Sequence, residues 1–272
     1  MTVLQVGRRV LVAAVLVAGC ALSASGQTTL SAEEKAQFLR TARITSTKDI
    51  PKGVTRPVRL TLTDGTLIHD AAFSVVDEHI PVLKYKDGRT ELDFVDSYKY
   101  TLAAYRLAEM LGVDDMMPVA VEREVNHQKG ALTWWVDDVK WDEGERLKLK
   151  LEPPDPEAWS RQVYRMRLFA QLIADTDRNT GNVLITSDWK LWMIDFTRAF
   201  RRSRKLLVPG EVSRCDRALL DRLRALSKDE VAARTKPFIG GAEVAALMNR
   251  RDALVALVDK LIADNGEAKV LY

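Results

Sequence analysis

The chain has 272 residues, with 41 Lys and Arg against 38 Asp and Glu, and 47% of it is hydrophobic. An apolar share that high excludes intrinsic disorder, and mixed charges this close to balance exclude a polybasic nucleic-acid arm. Two cysteines, Cys20 and Cys215, cannot build a disulfide framework and match no zinc spacing, so one large or two small domains must be held by packing.

Residues 1–26 read as an export signal. Arg8 and Arg9 precede an apolar run from Val10 to Leu22, too short to span a bilayer. Two processing routes compete: Val17-Ala18-Gly19-Cys20 fits a lipoprotein signal that would lipidate Cys20, and Ala24-Ser25-Gly26 fits ordinary signal peptidase. Either way the expected location is outside the cytoplasm of a bacterium: periplasmic, extracellular or lipid-anchored. Removing two of the 41 basic residues leaves 39 against 38 acidic, so no basic partner surface follows from the charge.

After an N-terminal extension over 27–54, residues 55–85 show strand periodicity. Val58, Leu60 and Leu62 alternate with polar residues, Asp64-Gly65 supplies the turn, and Leu67-Ile68 begins the return strand. Phe73–Val76 and Ile80–Tyr85 extend this to a small antiparallel sheet. A charged loop follows. Asp96 or Ser97 caps a helix that runs to Leu111 and stops at Gly112, and strands are expected over Pro118–Val125 and Ala131–Val136. Residues 55–136 thus form one lobe. The charged, proline-rich stretch 137–156 reads as a hinge or linker. Beyond it Asp155-Pro156 opens a helix with Trp159, Val163, Met166, Ala170 and Ile173 on one face, and 157–272 is mostly helical. The fold class is α+β: an antiparallel sheet with one helix, then a helical half.

The chemistry concentrates between Ile173 and Thr197. A polar loop with Asp177 and Asn182 leads into Val183–Ile185, a turn at Ser187-Asp188, and then Leu191–Ile194, ending at Asp195. A hairpin brings its two ends together, so Asp177, Asn182 and Asp195 converge. Two carboxylates and an amide oxygen suit Mg²⁺ or Mn²⁺, hard cations that share their shells with phosphate oxygens. Asp177 and Asn182 stand five positions apart, the spacing of the D-x-x-x-x-N catalytic loop of kinases, and Asp195-Phe196 stands where D-F-G would, with Thr197 for the glycine.

Asp-Arg-Asn-Thr-Gly-Asn followed by Ile-Asp-Phe resembles the corresponding elements of atypical kinases: phosphatidylinositol 3/4-kinases, HipA-type kinases, secretory-pathway kinases and, most closely, an uncharacterised bacterial group of kinase-like proteins. Asp96-Ser-Tyr-Lys-Tyr, Ala103-Ala-Tyr105 and Trp134-Trp135-Val136 belong to the same resemblance, which covers roughly residues 59–205. It implies a two-lobed kinase-like fold that binds ATP with Mg²⁺ or Mn²⁺. By it Asp177 is the catalytic base, Asn182 and Asp195 are metal ligands, Lys84 contacts the α- and β-phosphates, and Trp135 and Val136 meet the adenine. Asp175 is an alternative base that loses the five-residue spacing, and Lys86 competes with Lys84.

Against these roles stand plainer ones: a turn residue at Asp177, a strand-end cap at Asp195, a solvated lysine at Lys84. A glycine-rich phosphate loop is missing, and Thr101 stands where an acid should pair with the lysine, leaving Glu91, Asp96 and Glu109 as substitutes. The basic run Arg198, Arg201, Arg202, Arg204 and Lys205 is either a seat for an acidic or phosphorylated substrate or a solvated loop. The six tryptophans are expected to be mainly core, and His69, His79 and His127 share no ligand spacing. Phosphoryl transfer to a hydroxyl is the leading reading, with a binding-only pseudokinase and nucleotidyl transfer to protein as alternatives.

Overall fold

Ser31 opens the first element by a reciprocal cap: its hydroxyl accepts the Glu34 N–H, and its own N–H donates to the Glu34 carboxylate at 2.7 Å, starting α1 (Ala32–Thr41). The computed structural model describes residues 30–50 and 57–272. The export signal, its two processing routes and Cys20 lie outside the described residues. Directly after α1 comes β1 (Arg43–Asp49), so the expected extension carries two elements. A single apolar residue, Ile44, marks this edge strand, which left no alternation to read.

β1 pairs with β2 (Val58–Thr63), which turns at Asp64-Gly65 into β3 (Ile68–Ser74). Asp64 Oδ1 accepts from the N–H groups of Thr66 and Leu67, and Gly65 adopts the positive φ of 98° that the turn requires. With β6 (Ala120–Val125) and β7 (Gln128–Trp134) these strands form a five-stranded antiparallel sheet in the order β1-β2-β3-β7-β6. Leu60, Leu62, Ala71, Phe73, Leu132 and Val121 turn one buried face toward α1 and α2 (Tyr98–Leu111). Ser97 caps α2 and Gly112 ends it at φ 65°, as the sequence indicates.

The segment between β3 and α2 departs from expectation. β4 (Asp77–Lys84) does not extend the main sheet: it pairs with β5 (Thr90–Ser97), a strand where the sequence predicts a charged loop, in a separate two-stranded ribbon. The linker 137–156 is also structured. Its β8 (Val139–Asp142) joins β9 (Val183–Thr186) and β10 (Leu191–Met193) in a three-stranded sheet, and its α3 (Glu143–Lys148) is capped by Asp142. Asp155 caps α4 (Pro156–Ile173). The remainder is helical: α5 (Arg217–Ala225), α6 (Lys228–Thr235), α7 (Gly241–Asn265) and α8 (Glu267–Val270).

All of these elements lie in one compact unit, Ser31–Tyr272, with a continuous apolar core. Trp141, Trp159 and Trp189 pack together, with centroids 5.6 and 5.9 Å from Trp189. Among the described residues no helix is long and apolar enough to cross a membrane.

Candidate active site

α4 ends at Ala174, whose left-handed backbone turns the chain into the polar loop. The next residue, Asp175, is fully buried and pairs with the nearly buried guanidinium of Arg178 at 2.5 Å. This burial removes Asp175 as an alternative base, because its carboxylate is consumed in holding the arginine. Arg178 in turn donates to three backbone carbonyls: Asn182 at 2.7 Å, Ile194 at 2.6 Å and Asp195 at 3.3 Å. Its guanidinium also lies 4.3 Å above the Phe196 ring. One side chain thus ties the loop to both ends of the β9–β10 hairpin.

Asp177, Asn182 and Asp195 are brought into this one network. Asn182 Nδ2 donates to the Asp177 carbonyl at 2.8 Å and reaches its carboxylate at 3.5 Å. Asn179 Nδ2 donates to the other Asp177 carboxylate oxygen at 3.2 Å. The Asn182 carbonyl receives the Ile194 N–H at 3.1 Å, closing the hairpin one residue before Asp195. Asp195 itself is exposed and left-handed, at φ 54°, a conformation costly for a non-glycine residue and held here by the Arg178 bond to its carbonyl. The Thr197 hydroxyl donates to Asp195 Oδ1 at 2.9 Å, so threonine in place of glycine orients the carboxylate.

Asp96, at the end of β5, faces the same place. One of its carboxylate oxygens is buried without a hydrogen-bond partner. Burial pushes its carboxyl above the usual range, the Thr197 side chain pulls the other way, and the neighbouring Asp195 charge adds to the upward push. Two mutually repelling carboxylates, one with an orphaned oxygen, are a donor set that a hard divalent cation relieves. Among the described residues no three His, Cys, Asp or Glu cluster at ligand spacing, so the amide of Asn182 is needed to complete the set.

Asp177 also lines a cleft of about 720 Å³ between the ribbon and the segment that follows Asp195. Glu91 on β5 is the keystone of its wall. Its carboxylate accepts from the Tyr85 hydroxyl at 2.5 Å and pairs with Arg198 at 2.8 Å and Arg201 at 2.6 Å. Burial opposes its charge, but the Tyr85 hydrogen bond, Arg201 and Arg198 outweigh it and hold the carboxyl below the usual glutamate range. The basic run is therefore neither wholly solvated nor free: Arg198 and Arg201 clamp the ribbon, and both lie over the Phe94 ring.

The remaining expected residues sit elsewhere. Lys84 is exposed at the far end of β4, opposite Thr90, and bonds to none of the three loop residues. Its ribbon is not part of the main sheet, so the strand that was to present it to a phosphate is a different structure. β3 offers no substitute: the face it shares with Arg59 carries Asp70, Ala72 and Ser74, and Asp70 accepts from Arg59 Nε at 2.6 Å. Trp135 follows β7, its N–H bonded to the Asp70 carbonyl and its ring 4.1 Å beneath Arg59. Trp135 and the buried Val136 line a separate cavity of about 320 Å³ with Lys35, Trp134, Lys190 and Trp192. None of Asp177, Asn182 and Asp195 lines that cavity. Sequence reasoning missed Arg178 as an organiser, although it stands inside the quoted motif, and it missed the clamp on Glu91.

No family model and no curated protein matches the chain in sequence. Solved structures do match in three dimensions. The chain superposes on hydra Fam20 with sugar at a TM-score of 0.64 and 14% identity, covering 89% of this chain and 93% of that one. The chain has an atypical kinase-like fold. The Golgi casein kinase with Mn/ADP bound matches this kinase-like chain at a TM-score of 0.60 and 11% identity, over 88% and 78% of the two chains. The Helicobacter pylori proinflammatory kinase CtkA matches at 0.52 and 9%, over 84% and 98%.

Proposed function

We propose that the protein is an exported atypical kinase that transfers the γ-phosphoryl group of ATP to a hydroxyl acceptor with the help of Mg²⁺ or Mn²⁺. The observation that carries this reading is the Arg178 network, which holds Asp177, Asn182 and Asp195 in fixed relation within a kinase-like fold. Asn182 and Asp195, with Asp96 beside them, would hold the metal. When bound, it supplies neutralisation of the charge on the phosphate oxygens. Asp177 lines the cleft and is the group that takes the acceptor proton. The likeness to the Golgi casein kinase with Mn/ADP bound supports the choice of nucleotide and metal.

The second reading, a nucleotide-binding pseudokinase, is favoured by one observation. No lysine stands on β3 beside Asp70 and Ser74, and Lys84 is exposed on the ribbon.

The test is thermal stabilisation by Mg·ATP or Mn·ATP, followed by label transfer. At a nucleotide concentration 100 times Kd the stabilisation is about 2.7 kcal/mol. Asp195→Ala is expected to abolish it, and Asp177→Ala to keep it while losing transfer of label from γ-labelled ATP. No stabilisation by any nucleotide sinks both readings. Stabilisation without transfer leaves the pseudokinase, and transfer of α-label indicates nucleotidyl transfer.

A further inference from the structure

The six tryptophans divide into two groups. Trp141, Trp159 and Trp189 pack on one another, whereas Trp134, Trp135 and Trp192 line the cavity of about 320 Å³ that holds none of Asp177, Asn182 and Asp195. That volume lies at the lower end of the range for small-molecule sites, and Met117, Pro118 and Val119 add apolar wall.

Two half-buried lysines from separate elements reach the same cavity, Lys35 on α1 and Lys190 just before β10. Lys35 Nζ lies 5.3 Å from the centroid of the Trp134 ring, and Lys190 Nζ lies 4.2 Å from that of Trp192. Among the described residues neither ammonium has a carboxylate at ion-pair distance. Two of the three acids in the wall are engaged elsewhere: Asp115 pairs with Arg165 at 2.6 Å and Asp137 with His69 at 2.7 Å, leaving Asp114. Burial lowers the proton affinity of Lys35, the charge of Lys190 lowers it further, and Asp137 pulls the other way. An indole face attracts an ammonium group but does not neutralise it. Two like charges close enough to repel, in an aromatic cavity and without a counter-ion of their own, are the donor half of an anion site.

We propose that this cavity binds a small organic acid, its carboxylate set between Lys35 and Lys190 and its apolar body against the tryptophans. The proposal does not rest on the kinase reading, because the residues that carry it are none of those assigned to metal, phosphate or proton transfer. An anion placed between the two lysines removes their repulsion and joins α1 to the β9–β10 hairpin, so binding also stabilises the fold.

The experiment titrates the protein, free of nucleotide, with benzoate, benzamide and acetate, following tryptophan fluorescence and Tm. Benzoate is expected to change the fluorescence saturably and to raise Tm. Benzamide, which keeps the ring without the charge, and acetate, which keeps the charge without the ring, are each expected to bind at least about tenfold more weakly. Lys35→Gln and Lys190→Gln are each expected to lose benzoate binding by about tenfold or more, and Lys35→Arg and Lys190→Arg to retain it, which separates loss of charge from loss of fold. Benzamide binding as tightly as benzoate, benzoate binding unchanged in either glutamine variant, or no saturable response to benzoate overturns the inference. Each of those results leaves stabilisation by Mg·ATP, and with it the kinase reading, to be decided by its own test.

Discussion

Arg178 shows how much one side chain can organise. A guanidinium is planar and rigid, and here it pairs with a buried carboxylate while donating to three carbonyls on two sides of a hairpin. A lysine has the charge but cannot span those positions. Arg178→Lys is therefore expected to leave a folded protein whose stability is lower by about 2 kcal/mol and whose transfer rate falls about 10²-fold, because Asp177 and Asp195 lose their common reference. Denaturant melts and label transfer on the same preparation check this; an unchanged rate removes Arg178 from the positioning role. The residues it organises could be read from the sequence because their spacing is local, five and thirteen positions within one loop and hairpin. Its own role could not, since the carbonyls it reaches belong to no side-chain pattern.

The ribbon β4–β5 shows why an element can hide. In β5 the polar residues Glu91 and Asp93 turn toward arginines, while Leu92 between them is 72% exposed. The alternation is present with its polarity reversed, and a reading that looks for apolar residues facing inward finds only a charged loop. The hairpin at Asp64-Gly65, the caps at Ser97 and Asp155, and the ends of α2 were legible because their signals are chemical and local. A two-stranded ribbon is marginal by itself, so its order depends on the Glu91 clamp. Glu91→Gln is expected to cost about 1–2 kcal/mol at pH 7. Because the folded carboxyl is held below its unfolded value, the contribution is present above the ordinary glutamate range and is lost as pH falls through the lowered value. The difference in Tm between wild type and variant should shrink toward zero as the carboxylate becomes protonated below the ordinary glutamate range, and a difference that persists after protonation would show that the clamp is not ionic.

At the scale of the molecule, Arg250 joins α7 to the segment after Asp195 and to the end of α4 across 78 residues of sequence to Leu172. Burial draws its pKa down to about 10, still well above neutrality, so it remains a cation held by carbonyls alone. Arg250→Met leaves those carbonyls unpaired and is expected to cost about 3 kcal/mol, seen as a fall in the denaturant midpoint. An unchanged midpoint would mean that water replaces the guanidinium.

α2 has a consequence of another kind. It packs under the five-stranded sheet through β6 and β7, and it also packs on α5 and α6, with Glu109 beside Arg234 of α6, while Tyr100 meets Phe200 in the segment after Asp195. The sheet and the helices therefore share one support and cannot lose it separately. Calorimetry should record a single heat-absorption peak whose van't Hoff and calorimetric enthalpies agree.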